Sequence, residues 1–511
     1  MASSRQITIY PPVGGLVKRY TYQQQPPYTT PRCLNVWPIE PFEIRQRTGR
    51  RSGLTKQATT AAGSSRFRAV IPVPAVDEEN YAYRLMCCTS NDWYYPVAGA
   101  GMTTFKLDGM TSTTGRVPWA VFNSIIYLLD GTTLRTLDPW DASPSIDNVV
   151  ASAGTIPTNC NLLAAYAGRL VMAQRRGHQW NLSKVGDWTN WDTGADPNDP
   201  VRAFSGATSD IGELQEPLNA LAPWGDEFML MGCDNSIWNM TGDPGYGGKL
   251  FPVSRQIGVI GPDAWCFTPE RYFLFLDWSG MYMIPPGGTG DPVPFSREKL
   301  PSDLRNIDPV TYDCVLRFDP QHNGMLLAIM PITGSSELGA GEHWWIDWPT
   351  QSFWKLQFPA GEEPRFYEQF AFATGYDHSL FMGCDDSYLK AFDDTAPDDD
   401  GTDITAYLDI GPIRISGDEY SDGVVQQLTA TLAGDSADVT WNLFVGADAE
   451  AAADAASGTA DSTGTWSAGR NYWDHPRKRG GAFILQLSGS GQWALESVHA
   501  VLLKGGKQRL F

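Results

Sequence analysis

The residues best suited to chemistry in this sequence are a cysteine and an aspartate that stand side by side twice. Both pairs end the tetrapeptide Met-Gly-Cys-Asp, at residues 231–234 and 382–385. A thiol beside a carboxylate suits metal binding or catalysis, but each pair lies in a short polar turn between two apolar runs. Aspartate followed by Asn or Asp tolerates the backbone of a tight turn, and a cysteine beside an apolar run packs as a small hydrophobic residue. We therefore predict that both motifs are β-hairpins with an architectural role.

The other candidates for catalysis or metal binding lack partners at a useful spacing. The eight cysteines form no C-x-x-C pair, and no two of the six histidines have the spacing of a metal site. The acidic run 393–401 lacks the alternation of an EF-hand calcium loop, and residues 461–466 carry the Asp, Gly and Trp of a sialidase Asp-box at the wrong spacing. No nucleophile elbow or nucleotide-binding glycine loop occurs. We expect no catalytic residue, no metal site and no cofactor, and hence a protein that is not an enzyme.

The elements that hold the two hairpins are predicted to be short strands, which makes the fold all-β. The 511 residues include 51 Gly, 36 Pro and 19 Trp, a composition rich in turn formers and large apolar side chains. An apolar strand, a polar turn and a second strand recur between residues 67 and 395. The turns fall at or near residues 131, 177, 235, 280, 324 and 386, with an earlier candidate at 91–92.

The spacing of these turns favours a β-propeller of six to eight blades over residues 67–395. Consecutive turns from residue 131 onward are 44 to 62 residues apart, which suits the roughly 40 to 50 residues of a four-stranded blade. Stacking small twisted sheets round an axis covers faces that a single sheet would expose. We expect tryptophans to fill the spaces between blades, with an aromatic groove for sugars as the alternative. The tryptophans concerned are Trp224, Trp238, Trp265, Trp278, Trp344, Trp345, Trp348 and Trp354.

The segments before and after residues 67–395 are predicted to have structures other than propeller blades. Residues 1–66 hold many prolines and little periodicity, which favours an extended N-terminal arm or platform segment that runs over a surface. Residues 396–511 follow an acidic linker and contain alternating apolar segments, which predict a β-sandwich. Within this domain we expect the Ala-rich stretch 449–464 to be a mobile loop, with a short helix as the alternative. The sequence has no signal-peptide pattern and no apolar run long enough to span a membrane, so we expect folding in a reducing cytoplasm.

The chain is acidic, with a formal net charge of −20 and two local basic clusters. This acidity argues against a protein that grips nucleic acid, because phosphate neutralisation needs clustered Lys and Arg. It is compatible with a surface past which DNA slides, or with solubility alone. The first cluster either docks on an acidic neighbour, forms a solvated loop or pairs with the chain's own carboxylates. The clusters are Arg45, Arg47, Arg50 and Arg51, and Arg477, Lys478 and Arg479.

Short motifs along most of the chain resemble those of one family of bacteriophage tail proteins. They are Gly14-Gly15, Asn35-Val36-Trp37-Pro38, the Arg-rich stretch 47–54, Asp187-Trp188-Thr189-Asn190-Trp191, Leu221-Ala222-Pro223-Trp224-Gly225-Asp226, Pro476-Arg477-Lys478-Arg479-Gly480 and Trp493-Ala494-Leu495-Glu496. On these motifs the chain is similar to the tail nozzle, or tail tubular, proteins of short-tailed phages.

The resemblance implies a structural virion protein, a propeller with added β-domains that folds in the host cytoplasm and joins the virion tail. It implies a six-fold ring of this chain below the adaptor, or portal-proximal, tail ring, with tail fibres or spikes and the needle as further neighbours. Such a ring continues the DNA channel, retains the genome and lets it pass at infection without sequence-specific binding. We then expect both basic clusters to contact neighbouring subunits or the adaptor. A carbohydrate-binding propeller for host recognition is the alternative function.

Overall fold

The computed structural model describes residues 4–507 except for short gaps, which are residues 64–65, 75–82, 90–91, 97–100, 107–109, 111–114, 132, 142–144, 209–211, 333–340, 372–377 and 417–420. Nearly all regular structure in the described part is antiparallel strand. Seven four-stranded sheets form the blades of a β-propeller, and two five-stranded sheets form a β-sandwich. The predicted all-β propeller is therefore confirmed, with a blade number inside the expected range.

The N-terminal arm contains five short strands. They are β1 (Ser4–Ile9), β2 (Cys33–Leu34), β3 (Val36–Trp37), β4 (Gly49–Arg50) and β5 (Gly53–Lys56), with a 3-10 turn at Tyr22–Gln24. Most buried apolar residues of the arm belong to a core that it shares with the propeller and the sandwich, and Ala58 and Ala62 belong to one that it shares with blades 1 and 7. The arm therefore has no core of its own.

The first four blades use strands in chain order. Blade 1 consists of β6 (Ala69–Pro74), β7 (Tyr83–Cys88), β8 (Trp93–Pro96) and β9 (Met102–Lys106), and blade 2 of β10 (Trp119–Phe122), β11 (Ile125–Asp130), β12 (Thr133–Leu137) and β13 (Ile146–Asn148). The short strands β14 (Ala153–Gly154) and β18 (Asn190–Trp191) pair in parallel beside blade 3, which consists of β15 (Leu162–Tyr166), β16 (Arg169–Ala173), β17 (Trp180–Leu182) and β19 (Phe204–Ser205). Blade 4 consists of β20 (Leu218–Trp224), β21 (Phe228–Cys233), β22 (Ile237–Thr241) and β23 (Lys249–Ser254), with a 3-10 turn at Pro244–Tyr246.

The last three blades complete the ring. Blade 5 consists of β24 (Trp265–Phe267), β25 (Phe273–Asp277), β26 (Gly280–Ile284) and β27 (Val293–Pro294), and blade 6 of β28 (Tyr312–Asp319), β29 (Gly324–Pro331), β30 (Glu342–Asp347) and β31 (Ser352–Leu356). Blade 7 consists of β32 (Pro364–Ala371), β33 (His378–Cys384), β34 (Leu389–Asp393) and, from the arm, β5.

Strand β5 closes the propeller from the far end of the sequence. It pairs antiparallel with β34, and the register places Thr55 opposite Ala391 and Lys56 opposite Lys390. The first strand of blade 7 in turn lies beside the first strand of blade 1. The seventh blade is therefore joined to both ends of the propeller segment, which leaves no open edge between the first and last blades.

Aromatic side chains fill several of the spaces between blades. Trp224 of blade 4 packs edge-on against Phe267 of blade 5, with ring centroids 4.8 Å apart. The rings of Trp348 of blade 6 and Tyr272 of blade 5 have centroids 5.4 Å apart. These contacts confirm the predicted role for Trp224 and Trp348, whereas Trp345 stacks on Trp37 of the arm and Trp278 is exposed.

The C-terminal sandwich includes strands from the arm in both sheets. Its strands are β35 (Ala406–Arg414), β36 (Ser421–Leu432), β37 (Val439–Gly446), β38 (Ser462–Trp466), β39 (Gly469–Asp474), β40 (Lys478–Gly480), β41 (Ala482–Gly489) and β42 (Leu495–Lys507). One sheet has the order β1-β42-β36-β39, with β40 also on β36, and the other has the order β2-β35-β41-β37-β38. The arm therefore completes both sheets of the sandwich as well as blade 7.

One local expectation is wrong, because the Ala-rich stretch begins with a helix. Helix α1 spans Ala449–Ala455, and the Asp448 carboxylate caps it by accepting a hydrogen bond from the Ala451 amide at 2.8 Å. Alanine has the highest helix propensity, and a capping aspartate satisfies an amide of the first turn. No helix among the described residues has the length and apolar character needed to cross a membrane.

Candidate functional site

The first strands of the blades bring charged side chains from opposite sides of the ring together. These strands are the innermost ones, since those of neighbouring blades lie side by side. Arg116, just before blade 2, places its Nη2 2.8 Å from Oδ1 of Asp263, just before blade 5. The Nη2 of Arg317 in blade 6 lies 3.0 Å from the same oxygen, and its Nε lies 3.9 Å from Oε2 of Glu368 in blade 7. These four residues, here called the channel cluster, span the axis of the propeller.

The channel cluster is enclosed by protein but not fully cut off from water. Asp263 is buried, whereas the Arg317 and Glu368 side chains are 23% and 18% exposed. Burial raises the pKa of Glu368 to about 7, although the nearby Arg317 guanidinium lowers it in part. Asp313, on the same strand as Arg317, also has a raised pKa because of burial and the negative charge of Asp263. Carboxyl groups with shifted pKa values in a channel are typical of functional sites, although structural ion-pair networks shift them too.

Three of the four arginines of the first basic cluster are buried in the folded chain. Arg47 donates to the buried carboxylate of Glu40 at 2.9 Å. Arg50 donates to the Pro397 carbonyl at 2.7 Å. Arg51 forms a bidentate pair with Asp399, with N–O distances of 2.8 and 2.5 Å.

The expectation that this cluster docks on a neighbouring subunit is therefore corrected for three of its members. Arg47, Arg50 and Arg51 are buried within the chain and are used by its own carboxylates and carbonyls. The partners of Arg47 are the nearby Glu40 and Glu43, whereas main partners of Arg50 and Arg51 lie far away in the sequence, up to 442 residues from Arg50, and local sequence gave no sign of them. Only Arg45, whose side chain is 65% exposed, remains available for an external contact.

Motifs that carry the family resemblance meet in the structure. The Arg50 amide donates to the Trp493 carbonyl at 2.9 Å, and the Leu495 amide donates to the Thr48 carbonyl at the same distance. The Arg-rich motif near the N-terminus therefore runs beside the Trp-Ala-Leu-Glu motif near the C-terminus. Asn35, of a third motif, accepts from the Gln357 amide through its side-chain oxygen at 2.8 Å.

The second basic cluster is on the surface of the sandwich. Arg477 and Arg479 are exposed and Lys478 is half-buried, at the short strand β40. The Nη2 atom of Arg479 lies 3.3 Å from Oδ2 of Asp422. Because both side chains are in contact with water, this ion pair neutralises the charge of Arg479 only in part. The structure leaves this cluster accessible to another protein.

The two Met-Gly-Cys-Asp motifs form hairpins in blades 4 and 7, as predicted. Their carboxylates hold neighbouring strands of the same blade. Asp234 accepts from Asn219 Nδ2 at 2.6 Å, and Asp385 forms an ion pair with Arg365. Burial raises the pKa of the Cys233 thiol to about 12, which keeps it protonated and unreactive at neutral pH.

His322, which the sequence did not mark, lies in a buried acidic and aromatic box. Its Nδ1 is 2.8 Å from an Asp319 oxygen and its Nε2 is 3.1 Å from an Asp394 oxygen. The imidazole also lies against Trp37 of the arm at 5.2 Å between ring centroids. Although burial lowers its pKa, the two carboxylates outweigh that effect and raise the value to about 9. The charged imidazole of His322 thus contacts three parts of the chain: the propeller, the arm and the linker that precedes the sandwich.

Three carboxylates in blade 7 and the linker are close enough together to hold a metal ion, but a lysine ammonium already lies among them. Glu362, Asp386 and Asp400 surround the buried Lys390 ammonium, with N–O distances of 2.5, 2.9 and 3.7 Å. Burial lowers the pKa of Lys390, but hydrogen bonds to Asp386 and Glu362 outweigh this effect and raise it. The group is therefore an internal ion-pair network that fixes β34 beside the closing strand.

The channel cluster was missed because its members are single charges spread over more than 250 residues. Arg317 lies between Leu316 and Phe318 in a strand that also holds Asp313 and Asp319, and Glu368 lies in a strand that also holds Arg365. A charged residue inside a strand that reads as buried was the one available signal, since it must find a partner or water. The identity of that partner depends on the closed ring and not on local sequence.

Comparison with known proteins yields distant structural similarities alone. No protein-family model and no curated protein matches the chain. Among solved structures it resembles virginiamycin B lyase from Staphylococcus aureus, at 8% identity over 66% of this chain and 98% of that chain, with a TM-score of 0.41. It also resembles YCF48 from Cyanidioschyzon merolae (10% identity, 67% and 98% coverage, TM-score 0.40) and the N-terminal domain of Nup159 (8%, 67% and 95%, 0.39). These neighbours are propellers, and at this distance they carry no argument about function.

Proposed function

We propose that this protein is a structural subunit of a phage tail, the nozzle ring that continues the DNA channel of a short-tailed phage. The observation that carries the proposal is the meeting of residues 48–50 with residues 493–495. Motifs that resemble one family and lie more than 400 residues apart in sequence pair with each other in space. Chance matches would have no reason to coincide with the joint between arm and sandwich.

The charge distribution supports a role beside DNA without binding to it. A net charge of −20 per chain, repeated round a ring, repels phosphate and lets DNA move without sticking. The channel cluster crosses the propeller axis, so in this proposal the DNA passes between subunits and not through a propeller. The ring retains the genome and releases it at infection, with the adaptor ring, fibres or spikes and the needle as neighbours in the virion tail.

Negative-stain electron microscopy of the purified protein, alone and with its adaptor ring, tests the proposal. We expect six-fold rings with an open centre that stack on the adaptor. A protein that stays monomeric in both samples and binds glycans on an array would contradict the proposal and favour the carbohydrate-binding alternative.

A further inference from the structure

The arm carries an apolar side chain on a backbone conformation that such a residue disfavours. Ile44 has a φ of 57° and is 74% exposed. A β-branched residue in the left-handed region is a true outlier, because its branched side chain crowds the backbone there. Glycine or asparagine would form the same turn without strain and without exposing an apolar surface. Neither the strain nor the exposure is compensated within the described part of the chain.

The loop that carries Ile44 is fixed by hydrogen bonds to the buried side chain of Glu40. The buried Glu40 carboxylate accepts hydrogen bonds from the amides of Phe42 at 2.6 Å, Glu43 at 3.1 Å and Arg45 at 3.1 Å. Arg47 pairs with the same carboxylate at 2.9 Å. Residues 42–46 therefore form a fixed projection with an apolar tip, here called the Ile44 knob.

A groove of about 380 Å³ lies elsewhere on the same chain, between the arm and strand β35. Its rim consists of Tyr10 and Tyr28, which are 54% and 55% exposed and have ring centroids 6.2 Å apart. Ile7 and Pro412 are among its apolar lining residues, and Arg5 lies at its edge. Tyrosine and proline rings lose little conformational freedom when they are covered, so such a groove suits a protein contact. We call it the tyrosine groove.

We infer that the Ile44 knob of one copy of this chain docks in the tyrosine groove of the next copy. The inference rests on the proposed function, for which it supplies a contact between subunits. A knob and a groove at different places on one surface make a heterologous contact, which generates a closed ring when the rotation allows. At the base of the knob, Glu43 pairs with Arg45 and Arg47, and Arg47 also pairs with Glu40 and Glu496, so three carboxylates face two arginines and leave one negative charge in excess. Arg5 is the charged residue that lines the groove, so the two surfaces have opposite net charges. Their attraction favours this pairing over contact between two knobs or two grooves.

Cross-linking between single-cysteine variants tests the contact directly. The eight native cysteines are all buried, so an added surface cysteine is the reactive one. Ile44→Cys is mixed with Thr8→Cys, which lines the groove, and treated with a short bismaleimide. We expect heterodimers from the mixture, none from either variant alone, and a ladder up to the full ring from the double variant. Val150→Cys, at an 81% exposed site in the propeller, is the control and should give none with Thr8→Cys.

Assembly of point variants provides the second measurement. We expect Ile44→Asp to raise the protein concentration at half-assembly at least tenfold, with a thermal unfolding temperature no lower than that of the wild type, because Asp tolerates a positive φ. The control Val150→Asp should leave assembly unchanged. Ile44→Gly should raise the unfolding temperature, because glycine suits the turn, and still weaken assembly.

The possible outcomes distinguish failure of the proposed contact from failure of the proposed ring. Rings that form equally well from Ile44→Asp, with no heterodimer in the cross-linking mixture, refute the contact and leave the proposed ring standing. Wild-type protein that forms no ring at any concentration, alone or with the adaptor ring, refutes both.

Discussion

His322 is the residue whose charge depends most clearly on the fold. Its two carboxylate partners, Asp319 and Asp394, raise its pKa from an ordinary value of 6.5 to about 9. Because the folded state holds the proton more tightly than the unfolded state, the stabilisation is complete below pH 6.5 and is lost as the pH rises through 9. A shift of this size corresponds to roughly 3 kcal/mol.

We predict that His322→Gln lowers the free energy of unfolding by roughly 3 kcal/mol at pH 6 and by much less at pH 9.5. Urea unfolding of both proteins at the two pH values measures this difference. His178→Gln, at an exposed histidine, is the matched control for the loss of an imidazole. An equal loss for His322→Gln at both pH values would show that the imidazole contributes packing and not charge.

The Arg51–Asp399 pair gives a second prediction, about a charge that has no access to water. Arg51 is fully buried and binds both oxygens of Asp399. Removal of one partner leaves an uncompensated buried charge, so we expect Arg51→Ala to cost about 3 to 5 kcal/mol of unfolding free energy. Guanidinium unfolding measures the loss, and Arg45→Ala is the exposed control, expected to change stability by less than about 0.5 kcal/mol.

The double variant Arg51→Met with Asp399→Leu distinguishes an ion-pair effect from simple loss of packing. If the charges matter as argued, it should be more stable than Arg51→Ala, because no charge is left unpaired. A double variant less stable than Arg51→Ala would contradict the argument.

At the scale of elements, strand β5 joins parts of the chain that are distant in sequence. The residue pairs between β5 and β34 put Thr55 opposite Ala391. The Gln57 amide donates to the Leu389 carbonyl at 2.9 Å, and in an antiparallel ladder the pair two residues away repeats this bonding pattern. The Thr55 amide is therefore a donor to β34, and proline at this position would remove the bond.

We predict that Thr55→Pro destabilises the protein by more than about 2 kcal/mol and exposes blade 7 first. Thr55→Val keeps the amide and the strand preference, so it should be neutral. Limited proteolysis followed by mass spectrometry should locate the first cuts of Thr55→Pro in blade 7. First cuts elsewhere, or equal resistance of the two variants, would mean that β5 does not hold the ring closed.

The strands that could be predicted from the sequence are those whose partner strands are close to them in the sequence. Asp130-Gly131 and the two Met-Gly-Cys-Asp turns join adjacent strands, so turn chemistry and flanking apolar runs were sufficient. Strand β5 was not predicted, because its partner lies more than 300 residues away and Gly53 to Lys56 looks like any short polar segment. The buried roles of Arg50 and Arg51 were missed for the same reason. Their partners near residues 396–399 and 490–492 are brought together only by the complete fold.

For the whole molecule, one shared core makes the arm, propeller and sandwich a single unit. Buried Trp37 of the arm, Trp345 of blade 6 and Trp441 of the sandwich belong to the same apolar cluster. Trp37 stacks on Trp345 with ring centroids 4.8 Å apart. A subunit built this way transmits force between its domains, which suits a ring that bears the pressure of a packaged genome in the proposed function.

The charge of that unit gives the last prediction. The chain has 58 acidic and 38 basic residues, so a ring of copies gathers negative charge that repels across subunit boundaries. The Debye length falls from about 30 Å at 0.01 M salt to about 8 Å at 0.15 M. The apolar part of the knob-in-groove contact is not weakened by salt, unlike the charge attraction beside it. We therefore expect the assembled fraction, measured by sedimentation velocity at fixed protein concentration, to rise between 20 and 300 mM NaCl. The Ile44→Asp variant should stay monomeric throughout. Rings that dissociate as salt increases would instead point to an interface held by ion pairs, with Arg477, Lys478 and Arg479 as the exposed cations to mutate first.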